Sequence, residues 1–198
     1  MAKHAMAYVE DLLAHGRHTF TRREAEAALD TSSVATYHSL RRLQRRGWLV
    51  MPRQGFYVIV DPAHRTLGAL PATAWIDALM RFHGVPYYVG LLTAAALHGA
   101  AHQQPQEFQV VAGAVLRRLT VGRVRIRFFF RRRMNAAATE KMRTSSGYMP
   151  VSTPEATAYD LVRYRKGAAR KRNKGGWAAI GSIGTLNAVS RGWRGRNH

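Results

Sequence analysis

"SSVATYHSLRRLQRRGWLVMPRQGFYVIV", residues 32–60, sets arginines at positions 41, 42, 45 and 46, then a glycine, then two short apolar runs around Pro-Arg-Gln-Gly. A helix that only packs against its neighbours has no use for so much charge. A helix that lies along a polyanion does. Ser32 or Ser33 reads as an N-cap, and the helix runs to about Arg46. At 100° per residue, Thr36, Leu40, Leu43 and Gly47 gather on one side. Val34, His38, Arg41 and Arg45 fall opposite, with Arg42 beside them and Tyr37 on the flank. That stripe of donors has the width of a helix lying in a major groove. Gly47 ends the helix, and "WLVM-PRQG-FYVIV" reads as two strands around a turn with Arg53 at its tip.

Upstream, "KHAMAYVEDLLAHG" places Met6, Val9, Leu12 and Leu13 at helical spacing and stops at Gly16. Thr21 with Glu24 three residues on is a capping-box pattern that starts a second helix of about two turns. Three helices followed by a hairpin is the winged helix-turn-helix order over residues 1–65. The candidate DNA contacts are Ser33, Val34, Tyr37, His38, Arg41, Arg42, Arg45 and Arg53. His38 and Arg41 are placed to meet base edges, and Arg42, Arg45 and Arg53 to meet phosphates. The plainer reading is a small helical domain with a solvated basic face.

The next unit spans residues 66–164, after a Pro/Ala/Gly-containing link. "PATAWIDALMRFHG" reads as an amphipathic helix with Trp75, Leu79 and Phe82 on one face. Tyr87 to Val89 is extended, Leu91 to Leu97 is a buried helix, and "EFQVVAG" is a short strand. In "GRVRIRFFF", Val124, Ile126 and Phe128 face one way and Arg123, Arg125 and Arg127 the other. With Arg131, Arg132 and Arg133 in the following loop, they form a candidate basic surface. "GYMPVSTPEATAYDLVRY" is a strand and then a helix started by Ser152 and Pro154, burying Ala158, Leu161 and Val162. The expected fold class is α+β: an N-terminal winged helix-turn-helix followed by a small mixed α/β domain.

Composition points to the same class of partner. The chain has 198 residues and a formal net charge of +20, an imbalance that favours nucleic acid, acidic protein or anionic membrane. Residues 161–198 carry ten Arg and Lys and no Asp or Glu, half of the net excess. The absence of cysteine removes disulfides, thiolate chemistry and Cys-based zinc sites. No stretch reads as a signal peptide or a membrane span, so a cytoplasmic protein with no membrane partner is expected.

"GWLVMPRQGFYVI", "YYVGLLTAAALHGAAHQQPQEFQVVAG", "RIRFFF" and "GYMPVSTPEATAYDLVRY", in that order over about residues 20–164, resemble the AbiEi antitoxins of type IV toxin–antitoxin systems. The resemblance implies a bacterial autoregulator whose winged helix represses its own operon. It also implies a C-terminal domain that opposes a nucleotidyltransferase-like toxin, acting without a stable toxin complex. The family includes plain regulators with no toxin partner, and a plain winged-helix regulator is a second reading of this chain. The resemblance supplies no catalytic residues and no cofactor.

Residues 165–198 form a basic Gly/Arg-rich tail, expected to be poorly ordered, in which the apolar periodicity persists only faintly through Trp177, Ile180, Ile183 and Leu186. Two readings stand: a basic arm adding phosphate contacts, or a tail produced by a shifted frame near Tyr164. The abrupt change in composition favours the second. Enzymatic motifs are missing: there is no Walker loop, GxGxxG or GxSxG. His98 and His102 sit one helical turn apart, a spacing that binds metals, but without Cys or a nearby carboxylate no metal site is expected, and His98 reads as the polar end of a buried helix. The charge pattern is also compatible with an Arg-rich nucleic-acid-processing enzyme, or with an RNA-binding protein that uses "RVRIRFFF" as its sheet.

Overall fold

Thr21 shows how the first unit is built. In the computed structural model, which describes residues 4–100 and 105–165, Thr21 is extended and accepts the Glu24 N–H at 3.3 Å. The Glu24 carboxylate accepts the Thr21 N–H in return, so the expected capping box starts helix α2 (Arg22–Leu29). Burial opposes ionisation of Glu24, but bonds from Thr21 and Arg17 outweigh it and hold its carboxyl below the usual carboxylate range. Helix α1 (Ala5–Ala14) precedes it, and α3 (Ser33–Arg45) follows with Ser32 as its cap, accepting the Ala35 N–H. Gly47, at φ +74°, reverses the chain after α3.

Thr36, Leu40 and Leu43 are buried with Val9, Leu12, Ala25 and Leu29 in one core. The hairpin is β2 (Leu49–Arg53) and β3 (Phe56–Ile59), joined through Gln54 and Gly55. A further strand, β1 (Thr19–Thr21), pairs antiparallel with β3, giving the order β1-β3-β2. Sequence reading placed only the Thr21 cap there and no strand, because a three-residue strand is too short to show alternation.

β3 is buried at every position, and the reason is tertiary. Tyr57 and Ile59 pack with the three helices. Phe56 and Val58 belong instead to the core of the second unit, beside Trp75, Ile76 and Val110. The hairpin is therefore shared between two cores. The link is packed as well: Asp61 caps a short 3-10 turn over Pro62–Leu67, Arg65 stacks 3.7 Å over the Trp48 ring, and the Arg123 N–H donates to the Leu67 carbonyl at 3.0 Å.

The second sheet has the order β6-β7-β5-β4-β9-β8. Its strands are β4 (Tyr87–Val89), β5 (Phe108–Ala112), β6 (Leu119–Val121), β7 (Val124–Phe130), β8 (Thr139–Thr144) and β9 (Gly147–Ser152). The pairs β5/β7 and β4/β9 are parallel and the others antiparallel. β6 and β8, both edge strands, were not expected: β8 is largely exposed and carries Glu140, Lys141 and Arg143, so no apolar face marks it. One face of the sheet, with Val89, Val110, Ala112 and Ile126, covers Leu79 and Met80 of α4 (Ile76–His83). The other, with Tyr88, Val111 and Phe129, packs Leu91 of α5 (Leu91–Leu97) and Leu161 of α6 (Pro154–Arg163).

Three expectations are corrected here. α6 is capped by Thr153, whose hydroxyl accepts the Ala156 N–H, rather than by Ser152. It buries Thr157 and Asp160, whereas Val162 is 70% exposed. In α4, Met80 takes the inward place expected of Phe82, which sits half-exposed against the Phe56 ring of the hairpin, 5.4 Å between centroids. His102 and the basic tail beyond Arg165 lie outside the described residues. Among the described residues no helix is long and apolar enough to cross a membrane.

Candidate nucleic-acid interface

Helix α3 carries the candidate contact side chains opposite its core side, as the 3.6-residue period dictates. Val34 is 65% exposed, and Tyr37, His38, Arg41, Arg42 and Arg45 are exposed with it. His38, Arg41, Arg42 and Arg45 stand side by side on this exposed face of α3, with no carboxylate among them. Among the described residues none of these three arginines has a carboxylate within ion-pairing distance. Arg42 donates to Ser39 Oγ at 2.9 Å, and Arg41 reaches the Tyr37 hydroxyl at 3.4 Å. Adjacent cations repel unless an anion offsets them, so this face carries an uncompensated positive potential.

The other predicted contacts sit differently. Ser33 is committed to α2: its hydroxyl donates to Glu26 Oε1 at 2.7 Å and accepts from Arg22 at 2.6 Å. The bonds that Glu26 accepts, from Ser33 first and then from Arg22, hold its carboxyl below the usual range. Arg53 is exposed at the end of β2, on a separate element from the stripe. It lies close enough to His83 of α4 to lower that imidazole's pKa, second to burial. The second unit therefore borders the hairpin tip, which sequence reasoning did not foresee.

The candidate basic surface on β7 divides. Arg123, Arg125, Arg132 and Arg133 are exposed. Arg127 lies over the Phe129 ring at 4.9 Å and within 3.9 Å of Glu107. Arg131 is not on the surface at all. Its guanidinium is buried, 3.0 Å from Asp160 Oδ1 and 2.9 Å from the Tyr88 hydroxyl, which itself donates to Asp160 Oδ2 at 2.6 Å. Burial, and then the carboxylate acceptor, push the Tyr88 phenol well above its ordinary pKa. The correction has a plain cause. Arg131 follows β7 on the face that α6 covers, and α6 supplies a buried carboxylate there.

His98 has an internal role too: its Nε2 lies 2.8 Å from the Ser152 carbonyl, and Glu140 lies 3.7 Å from its Nδ1. Among the described residues no group of three or more His, Asp or Glu side chains is placed to hold a metal.

A family model described as "AbiEi antitoxin C-terminal domain" matches residues 88–185, and one described as "Transcriptional regulator, AbiEi antitoxin" matches residues 9–60. The chain belongs to the AbiEi antitoxin family. In this AbiEi antitoxin the N-terminal match holds α3 and the hairpin, with every candidate DNA contact. The C-terminal match holds the second sheet from Tyr88 and continues past α6 to residue 185. Among solved structures, the RV2827C protein from Mycobacterium tuberculosis shares the fold, with a TM-score of 0.57 and 16% identity over 95% of this chain and 71% of that chain. A comparison with curated proteins returns no match. Sequence reading missed Arg22 and Glu26 at this site. Their i, i+4 spacing was visible, but their grip on Ser33 depends on how α2 and α3 cross.

Proposed function

We propose that this AbiEi antitoxin is a sequence-specific duplex-DNA-binding repressor of its own operon. In this reading α1–α3 and the β2–β3 hairpin work as a winged helix-turn-helix in the cytoplasm of a bacterium. α3 enters the major groove, with His38 and Arg41 toward base edges and Arg42, Arg45 and Arg53 toward phosphates. The second unit opposes a nucleotidyltransferase-like toxin, as in type IV systems, without a stable complex. The protein performs no catalysis and needs no cofactor. One observation carries the reading: His38, Arg41 and Arg45 share the exposed face opposite Thr36, Leu40 and Leu43, with no carboxylate among them.

The test is binding of the full chain to a duplex recovered by in vitro selection, compared with a scrambled duplex of the same composition. Arg41→Ala should cost about 1–3 kcal/mol on the selected duplex and relax its sequence preference. Arg45→Gln should weaken both duplexes alike and reduce the log–log salt slope by about 0.9. Selection that enriches no sequence, or variants that bind as the parent does, would refute the assignment. Co-expression with a nucleotidyltransferase-type gene from the same operon tests the antitoxin half by survival.

A further inference from the structure

Arg22, the first residue of α2, touches every element of the interface. Its backbone N–H donates to the Gly55 carbonyl in the hairpin turn at 2.8 Å. Its Nε–H donates to Glu26 Oε1 at 2.9 Å. Its Nη2 donates to the Ser33 hydroxyl at 2.6 Å and to the Ser33 carbonyl at 3.1 Å, both in the first turn of α3. Because the Ser33 hydroxyl also donates to Glu26 Oε1, the three side chains close a ring between the two helices. The guanidinium carbon then lies 5.6 Å from the centroid of Tyr37, whose ring also receives Arg41 at 6.0 Å.

We propose that Arg22 is a positioning residue for base readout: it fixes Tyr37, and through Tyr37 the Arg41 guanidinium, before DNA arrives. The inference rests on the DNA-binding reading above. Arg41 is a long side chain on an exposed helix face, and ordering such a chain on contact opposes binding. An aromatic ring already within about 6 Å of both guanidinium groups removes part of that cost. Arginine suits the role because one planar fork addresses Glu26 and Ser33 in fixed directions, which a lysine ammonium does not reproduce. A direct phosphate contact fits less well, since Glu26 offsets the charge and Ser33 takes both bonds of Nη2.

The full chain is compared with Arg22→Lys, Ser33→Ala and Arg45→Gln on the selected and scrambled duplexes. Arg22→Lys keeps the charge and should weaken the selected duplex about tenfold while leaving the scrambled duplex and the salt slope unchanged. Ser33→Ala removes the hydroxyl that Arg22 grips but spares the Ser32 cap, so it should show the same loss of selectivity to a smaller degree. If Arg22→Lys fails to fold, Ser33→Ala alone decides. An unchanged ratio between the two duplexes overturns the positioning role, as does an equal loss on both with a shallower salt slope. In an Arg41→Ala background, Arg22→Lys should cost no further selectivity, and additive losses would argue against the route to Arg41. If Arg45→Gln also changes nothing, the DNA-binding reading itself has failed; if Arg45→Gln acts and Arg22→Lys does not, only the role of Arg22 has.

Discussion

Replacing Asp160 by alanine should loosen α6 from the sheet and lower the stability of the second unit sharply. Asp160 is fully buried, and the side chain of Arg131 is 8% exposed. Alanine at 160 leaves a guanidinium in the interior with no counter-charge, and it strips the Tyr88 hydroxyl of its acceptor. Breaking a buried pair from one side costs roughly 3–5 kcal/mol, against the about 5–15 kcal/mol that holds a typical domain folded. At about 2–4 °C per kcal/mol for a chain of this size, the melting temperature should fall by about 6–20 °C. Thermal melts by circular dichroism measure the global loss, and amide hydrogen exchange over Pro154–Arg163 detects release of α6 alone. Removing all three polar groups together, as Arg131→Met, Asp160→Leu and Tyr88→Phe, should cost much less than Asp160→Ala. An apolar trio leaves none of these three side chains buried and unpaired, the Arg133 carbonyl losing only its bond from Arg131 Nε. A melting temperature within about 2 °C of the parent, with α6 amides equally protected, would refute the reasoning.

Leu43→Ala, at a position 5% exposed in the first core, should cost roughly 2–5 kcal/mol and reduce binding to all duplexes through loss of fold, measured by urea denaturation. Gly122 has φ +55°, and a Cβ there would lie 2.6 Å from the Leu67 carbonyl oxygen. Gly122→Ala should therefore displace the link from the second sheet and destabilise by about 1–3 kcal/mol, with proteolysis after residue 65 as the sensitive readout. Glu24 has a folded-state pKa below its ordinary 4.5, so it binds protons more weakly folded than unfolded. Its contribution is complete above that value and is lost as pH falls through the folded one. The fall in melting temperature between pH 6 and about pH 3 should be smaller in Glu24→Gln than in the parent; equal slopes would exclude this contribution.

Local rules made much of the first unit legible. The capping box at Thr21 and Glu24, the Ser32 cap and the left-handed glycine at position 47 are contacts within a few residues, so the local sequence nearly suffices to place them. The same holds for the face of α3. A 3.6-residue period puts Leu40 and Leu43 on one side and Arg41 and Arg45 on the other whatever the helix packs against. The alternation of β7 was also readable, with Ile126 inward and Arg125 outward. Strands shorter than the alternation they must display, β1 and β6, were not.

The fate of individual charges was decided only in three dimensions. Arg131 and Arg132 are neighbours of one type, yet one is buried against Asp160 and the other is exposed. The difference lies in α6, which packs against the end of β7 and brings a carboxylate from 29 positions away. Likewise Phe56 and Tyr57 read alike in an alternating strand, but they enter different cores because the hairpin is covered on both faces. Sequence by itself determined which face of α3 is basic and where α2 and α3 begin, because those follow from the backbone period and nearest-neighbour bonds. Tertiary structure decided which cations stay exposed, because the cost of burying a charge depends on what the rest of the chain places beside it.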